Sequence, residues 1–167
     1  MVQNAILMEQ VQVPAQVNYL RVLRKFVARI GTECGFTPSE LYAFKSSVDE
    51  ACANIIEHGY GHKDGSITIK AIIKTESMTI ELIDHGRSFD PKQIQKPDLN
   101  NYVDTRKKGG LGIFIMSRLL DEIDYKTTED GNILRLIKFR QPFKHQNTNL
   151  SISSIFKKIK TFFCERS

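Results

Sequence analysis

The residues best suited to chemistry in this chain are a carboxylate and a carboxamide four positions apart. Glu50 and Asn54 stand beside a strongly apolar pattern within residues 47–60, and on a helix that spacing puts both side chains on one face, one turn apart. An Asn oxygen is a hard, neutral ligand suited to Mg²⁺, which keeps several waters and bridges to phosphate instead of filling an all-protein cage. Asp84 adds a fixed acceptor at the end of an Ile- and Thr-rich stretch, just before a turn at Gly86. Gly110 and Gly112, on either side of Leu111, free backbone N–H groups at the start of a further helix, where the helix dipole favours phosphate. Arg106, Lys107 and Lys108 precede them and could close over that anion. Together these groups point to a nucleotide. Each alone has an ordinary reading as a solvated helix edge, a simple turn or a common Gly-x-Gly.

The elements that must position these groups are legible from periodicity. Thr37-Pro38-Ser39-Glu40 has the form of a capping box with Pro at the first helical position. Along the helix it opens, Leu41, Phe44, Val48, Ala51 and Ile55 form the core side, Glu50, Asn54 and Glu57 share a neighbouring face, and Gly59 and Gly61 end it. Upstream, residues 2–13 read as a strand ended by Pro14, and Gln16 to Ile30 as an amphipathic helix stopped by Gly31. The outer face of that helix carries Arg21, Arg24 and Arg29, which taken alone read as solvated. Downstream, 66–73 and 78–84 form two antiparallel strands. Residues 92–109 lose periodicity and read as a long functional loop. A third helix follows, with Ile113, Met116, Leu119, Leu120 and Ile123 as its stripe, and then strands over 125–128 and 133–139 flank the turn Asp130-Gly131. The order predicts an α/β fold: a two-layer sandwich with a mixed or antiparallel sheet covered on one face by helices.

Composition sets the bounds. At 167 residues, 41% hydrophobic and 26% charged, the chain is sized for one globular domain, placed at 1–142, with a linker and tail at 143–167. No apolar run approaches a membrane span and the N-terminus has no signal-peptide pattern, so the expected compartment is the cytoplasm. Cys34, Cys52 and Cys164 show no metal or disulfide spacing and read as reduced thiols. The net charge of +5 gathers in local clusters without interleaved aromatics, which favours a polyanionic ligand or an acidic protein over direct nucleic-acid binding. In the tail, Ile152, Ile155, Phe156, Ile159, Phe162 and Phe163 recur at helical spacing opposite Lys157, Lys158 and Lys160. This basic amphipathic pattern suits docking on its own domain or a partner, with membrane-surface binding as the alternative. The last four residues, Cys164 to Ser167, do not form a prenylation box, because charges occupy both aliphatic positions.

Three runs in order, Asp49-Glu50-Ala51-Cys52-Ala53-Asn54-Ile55-Ile56-Glu57-His58-Gly59-Tyr60, Asp84-His85-Gly86-Arg87-Ser88-Phe89-Asp90 and Gly109-Gly110-Leu111-Gly112-Ile113-Phe114-Ile115-Met116, resemble the nucleotide-binding boxes of the GHKL (Bergerat-fold, HATPase) ATPases. The match is specifically to the bacterial anti-sigma factor serine/threonine kinases and spans roughly residues 10 to 140. The resemblance implies ATP and Mg²⁺ as cofactors, Asn54 as the metal ligand and Glu50 as the catalytic carboxylate that orients or deprotonates the attacking hydroxyl. It implies Asp84 as acceptor for the adenine amino group and Gly86 as the glycine against which the base lies. Gly110, Leu111 and Gly112 fall on the phosphate side, under a lid carrying Arg106, Lys107 and Lys108. The chain departs from the wider superfamily at Ser88, where a second glycine is usual. His58 matches a structural position of the family and is not assigned to catalysis.

The implied activity is phosphorylation of an anti-anti-sigma factor of STAS type combined with capture of a sigma factor, with Arg21 and Arg24 on the partner-binding helix and a homodimer as the assembly. Two other readings stay open at this point. One is a non-catalytic anti-sigma regulator in which nucleotide only shapes a docking surface. The other is a detached histidine-kinase-like ATPase.

Overall fold

Thr37 opens the central helix as its sequence requires: its side chain accepts from the Glu40 backbone N–H while the Glu40 carboxylate accepts from the Thr37 N–H at 2.8 Å. A cap of this kind is worth about 1 kcal/mol. In the structure, a computed structural model describing residues 7–88 and 111–140, the chain runs β1 (Leu7–Pro14), a single 3₁₀ turn (Val17–Tyr19), α1 (Leu20–Glu33) and α2 (Pro38–Asn54). It continues through a π-helical turn (Ile55–Gly59) to β2 (Ser66–Ile73), β3 (Ser77–Asp84), α3 (Leu111–Leu119), β4 (Glu122–Thr128) and β5 (Gly131–Phe139).

The five strands form one sheet in the order β1-β2-β3-β5-β4, antiparallel at every pairing. One face alternates Ile67, Ile69, Ala71 and Ile73 on β2 with Met78, Ile80 and Leu82 on β3, all buried. Against it pack Leu23, Val27 and Ile30 of α1, Phe44, Val48 and Ala51 of α2 and Met116 of α3, in one continuous core. Burying a side chain of this size contributes roughly 1.5–3 kcal/mol, so the sheet and its three helices are held chiefly by this layer. The opposite face carries a row of directly paired charges, Lys70, Glu81, Arg135 and Asp124, one from each of four adjacent strands. Among the described residues no helix is long and apolar enough to cross a membrane.

Several sequence expectations shift by a turn. Gly31 does not stop α1; it is buried within the helix because a Cβ there would run into Leu41 Cδ2. The chain turns instead at Gly35, whose φ of 78° is the left-handed conformation glycine adopts without strain. Ile123, expected on the third helical stripe, lies in β4 opposite Leu136, since α3 ends at Leu119 and β4 begins earlier than the sequence pattern suggested. Lys138 stabilises that end by donating to the Leu119 carbonyl at 2.6 Å. The slipped alternation in β1 resolves with Leu7, Glu9, Val11 and Val13 in register with the core-facing side of β2. Glu9 is accommodated there at the sheet edge by Arg29 of α1, at 2.6 Å.

Candidate nucleotide site

The helix bearing Glu50 and Asn54 does not end as an ordinary α-helix. After Asn54 the backbone widens into a π turn, in which the Tyr60 N–H donates to the Ile55 carbonyl at 2.9 Å. Single π turns inside helices are rare and recur at functional sites. Here the turn carries Gly59 onto the segment after β3. The Gly59 carbonyl accepts from the Arg87 N–H at 2.8 Å, and a Cβ on Gly86 would stand 2.7 Å from the Gly59 carbonyl carbon. Backbone meets backbone at that point, so position 86 requires glycine.

Asp84 is the last residue of β3 and only 5% exposed. Its Oδ1 accepts two hydrogen bonds, from the Gly86 N–H at 2.8 Å and from Asn132 Nδ2 at 3.0 Å. Asn132 stands directly across the β3–β5 pairing from Asp84 and is 2% exposed. Its second amide hydrogen goes to the Gly86 carbonyl at 3.1 Å. On the other side, Tyr60 spans the turn: its hydroxyl accepts from the His85 N–H at 2.9 Å and donates to the Ser66 carbonyl at 2.8 Å. The Asp84 carboxylate is therefore oriented from two strands and from the end of the central helix. The thiol of Cys52 on α2 is fully buried, and burial, with the charges of Asp49 and Asp84 adding to it, pushes it up to about 12.

The third part of the site is the start of α3. A Cβ on Gly112 would stand 2.7 Å from Glu50 Oε2 and 3.5 Å from Asn54 Nδ2, so the glycine admits both side chains to the first turn of α3. Carboxylate, carboxamide and helix start thus converge on one place, while Asp84 and Gly86 are tied through Gly59 to the π turn that follows Asn54.

A model of the histidine kinase-like ATPase domain matches residues 13–138. The chain belongs to that family. It is similar to the serine-protein kinase RsbW of Bacillus pumilus, 30% identical over 83% of this chain and 91% of the relative. It is also similar to RsbW of Bacillus subtilis, 34% identical over 68% of this chain and 74% of the relative. Among solved structures it resembles the crystal structure of the RsbU and RsbW domains of a Mycobacterium tuberculosis protein, with a TM-score of 0.59 and 18% identity. That likeness covers 81% of this chain and a third of the longer solved chain (33%), and supports the fold.

As a histidine kinase-like ATPase the chain binds ATP, and the geometry gives the residues singled out from sequence distinct places. Glu50, Asn54 and Gly112 come together, as do Asp84 and Gly86. Arg106, Lys107, Lys108 and Gly110 lie outside the described residues, as do the side chain of Leu111, the 92–109 loop and the basic tail. Arg21 is exposed on α1, whereas Arg24 pairs with Asp49 of α2 at 3.3 Å. Burial raises the Asp49 carboxyl above its ordinary value and the Arg24 guanidinium draws it partly back. His58 is exposed on the π turn.

Sequence reasoning missed Asn132 and Tyr60. Asn132 sits within the Asp130-Gly131 hairpin signal and reads as turn chemistry, and nothing in its spacing ties it to Asp84, which is 48 residues away. The donor set fits a divalent cation. Glu50 and Asn54 offer two hard oxygens beside the start of α3, the arrangement for an ion that keeps water and phosphate as its other ligands. Among the described residues no group of three or more His, Cys, Asp or Glu forms a competing cage.

Proposed function

We propose that this chain is an ATP-dependent anti-sigma factor kinase that transfers the γ-phosphoryl group of ATP to a serine or threonine of an anti-anti-sigma factor of STAS type and holds a sigma factor when that partner is absent. The observation that carries the reading is the convergence of Glu50 and Asn54 on Gly112, at the C-terminal end of a helix whose following π turn packs on the segment after Asp84. Its similarity to the serine-protein kinases supports the same reaction class.

Phosphoryl transfer is mainly positioning and charge neutralisation. Asp84 accepts from the amino group of the base and fixes the nucleoside, with Gly86 leaving room for the ring. Backbone N–H groups at the start of α3 face the phosphates. Asn54 would hold Mg²⁺, which would offset charge on the phosphate oxygens. Glu50 orients the incoming hydroxyl and takes its proton as the new O–P bond forms and the bond to the ADP leaving oxygen breaks. Arg106, Lys107 and Lys108 supply positive charge to the phosphates. Arg21 and Arg24 on α1 face the protein partner, two copies form the working assembly, and the reaction belongs to the cytoplasm, where sigma factors are.

The test is incubation with γ-labelled ATP, Mg²⁺ and proteins captured with the chain. Acid-stable label on serine or threonine that disappears with Glu50→Ala is the expected result. Label that never leaves ATP, with partner capture unchanged by nucleotide, overturns the kinase in favour of a binding module, and acid-labile label assigns a histidine kinase.

A further inference from the structure

We infer that Asn132 determines which purine the site accepts, by leaving the Asp84 carboxylate a single free oxygen; this rests on the ATP reading of the site. A carboxylate oxygen has two acceptor positions. On Asp84 Oδ1 both are filled, one by the Gly86 N–H at 2.8 Å and one by Asn132 Nδ2 at 3.0 Å. Only Oδ2 remains for the base.

The consequence is chemical. Guanine presents two adjacent donors, N1–H and the 2-amino group, which pair with a carboxylate through both oxygens at once. Adenine presents one amino group on the equivalent edge and needs one acceptor. A carboxylate free on both oxygens suits guanine well, and one with Oδ1 occupied forgoes the two-point pairing while keeping the single bond adenine uses. Sites that hydrogen-bond a substrate group discriminate strongly against a base that leaves a buried partner unmatched.

The orientation of Asn132 is fixed by its neighbours. Nδ2 faces two acceptors, Asp84 Oδ1 and the Gly86 carbonyl, and Oδ1 faces the Thr127 hydroxyl at 3.4 Å. Reversing the amide would set its oxygen against both acceptors at once. At 2% exposure no water replaces the lost donor freely, so Asn132 is a positioning residue acting through Asp84 and the Gly86 turn.

The experiment compares Asn132→Val with Asn132→Thr in the full chain. The two have the same shape, and only Thr keeps a donor. Dissociation constants for ATP and GTP are measured by titration calorimetry, with thermal unfolding to confirm folding and kcat and KM for transfer to the protein substrate. For N132V the expected result is an ATP preference over GTP reduced at least tenfold, with KM for ATP raised and kcat within about twofold of wild type; N132T lies between. An unchanged ATP-to-GTP ratio in folded N132V, or equal losses for both nucleotides, overturns the inference while leaving the ATP reading intact. If N132V does not fold, Asn132→Ala, which also lacks a donor, carries the test: a ratio equal to that of wild type overturns the inference. Wild-type protein that binds neither nucleotide overturns both.

Discussion

Glu50 and Gly112 meet where α2 passes the start of α3, with so little space that a Cβ on residue 112 would stand 2.7 Å from Glu50 Oε2. The contact links the proposed base to the helix start proposed to face the phosphates, so the two can be perturbed separately. Glu50→Gln keeps the shape and removes the proton acceptor; kcat should fall by roughly 100- to 10,000-fold, the usual worth of general-base catalysis, with ATP affinity nearly kept. Gly112→Ala leaves the carboxylate in place chemically and displaces it, and misplacement by an ångström costs up to about 100-fold. Steady-state kinetics with ATP titration check both. A large loss of kcat in G112A with none in E50Q would remove Glu50 from the mechanism.

Asp84, the proposed acceptor for the base, sits in a turn that is already assembled. Asp84→Asn leaves an oxygen to accept from Gly86 and Asn132 and removes the charge. A hydrogen bond to a charged group contributes about 1.5–3 kcal/mol, so ATP should bind roughly 10- to 100-fold more weakly. Circular dichroism and calorimetry on the variant test this, since an unfolded protein would give no titration and no native spectrum.

Cys52 gives a pH-dependent readout of the same region. Burial pushes its thiol up to about 12, with the Asp49 and Asp84 charges adding to the effect. The folded protein therefore favours the protonated thiol. The stability this contributes is fully present below the ordinary thiol pKa and is lost as the pH rises towards about 12. Because only the thiolate alkylates, iodoacetamide at pH 8 should leave Cys52 unmodified in the folded protein and label it in urea, as followed by peptide mass spectrometry. Rapid labelling of Cys52 in the native state would contradict its placement behind Asp84.

The sequence made Glu50, Asn54, Asp84 and Gly86 legible because each belongs to a local pattern: a turn of helix, a strand end, a glycine step. The layer order was legible for the same reason, since hydrophobic period separates helix from strand within a short window. Asn132 and Tyr60 were not, because their partners lie on other strands and only the register of β3 against β5 brings Asn132 to Asp84. The π turn was equally hidden: Gly59 and Gly61 read as a helix stop, whereas the widened turn continues the chain onto Arg87. Gly31 looked like a stop for want of knowing that Leu41 crosses it.

That crossing is itself testable. A methyl group at position 31 meets Leu41 Cδ2, so the Leu41 side chain or the spacing of α1 and α2 must shift to admit it. Overpacking of this kind costs about 1–3 kcal/mol, more than the helix propensity gained on replacing Gly by Ala. Gly31→Ala should lower the urea midpoint with the slope unchanged, and Gly31→Ala combined with Leu41→Ala should recover part of the loss.

The charged row on the far face of the sheet makes an asymmetric prediction. Glu81 and Asp124 are each 7% exposed, and Arg135 lies between them, with Nε 2.7 Å from Glu81 and Nη1 3.5 Å from Asp124. Lys70 and Lys126 stand farther off, at 3.8 Å and 3.9 Å. Removing Glu81 leaves Arg135 paired with Asp124, so Glu81→Ala should cost about 1 kcal/mol, near the value of a partly exposed ion pair. Removing Arg135 leaves each of two nearly buried carboxylates only its more distant lysine, and Arg135→Ala should cost about 3 kcal/mol. Urea unfolding of both variants decides it: equal costs would mean that the row stabilises the sheet by packing and not by charge.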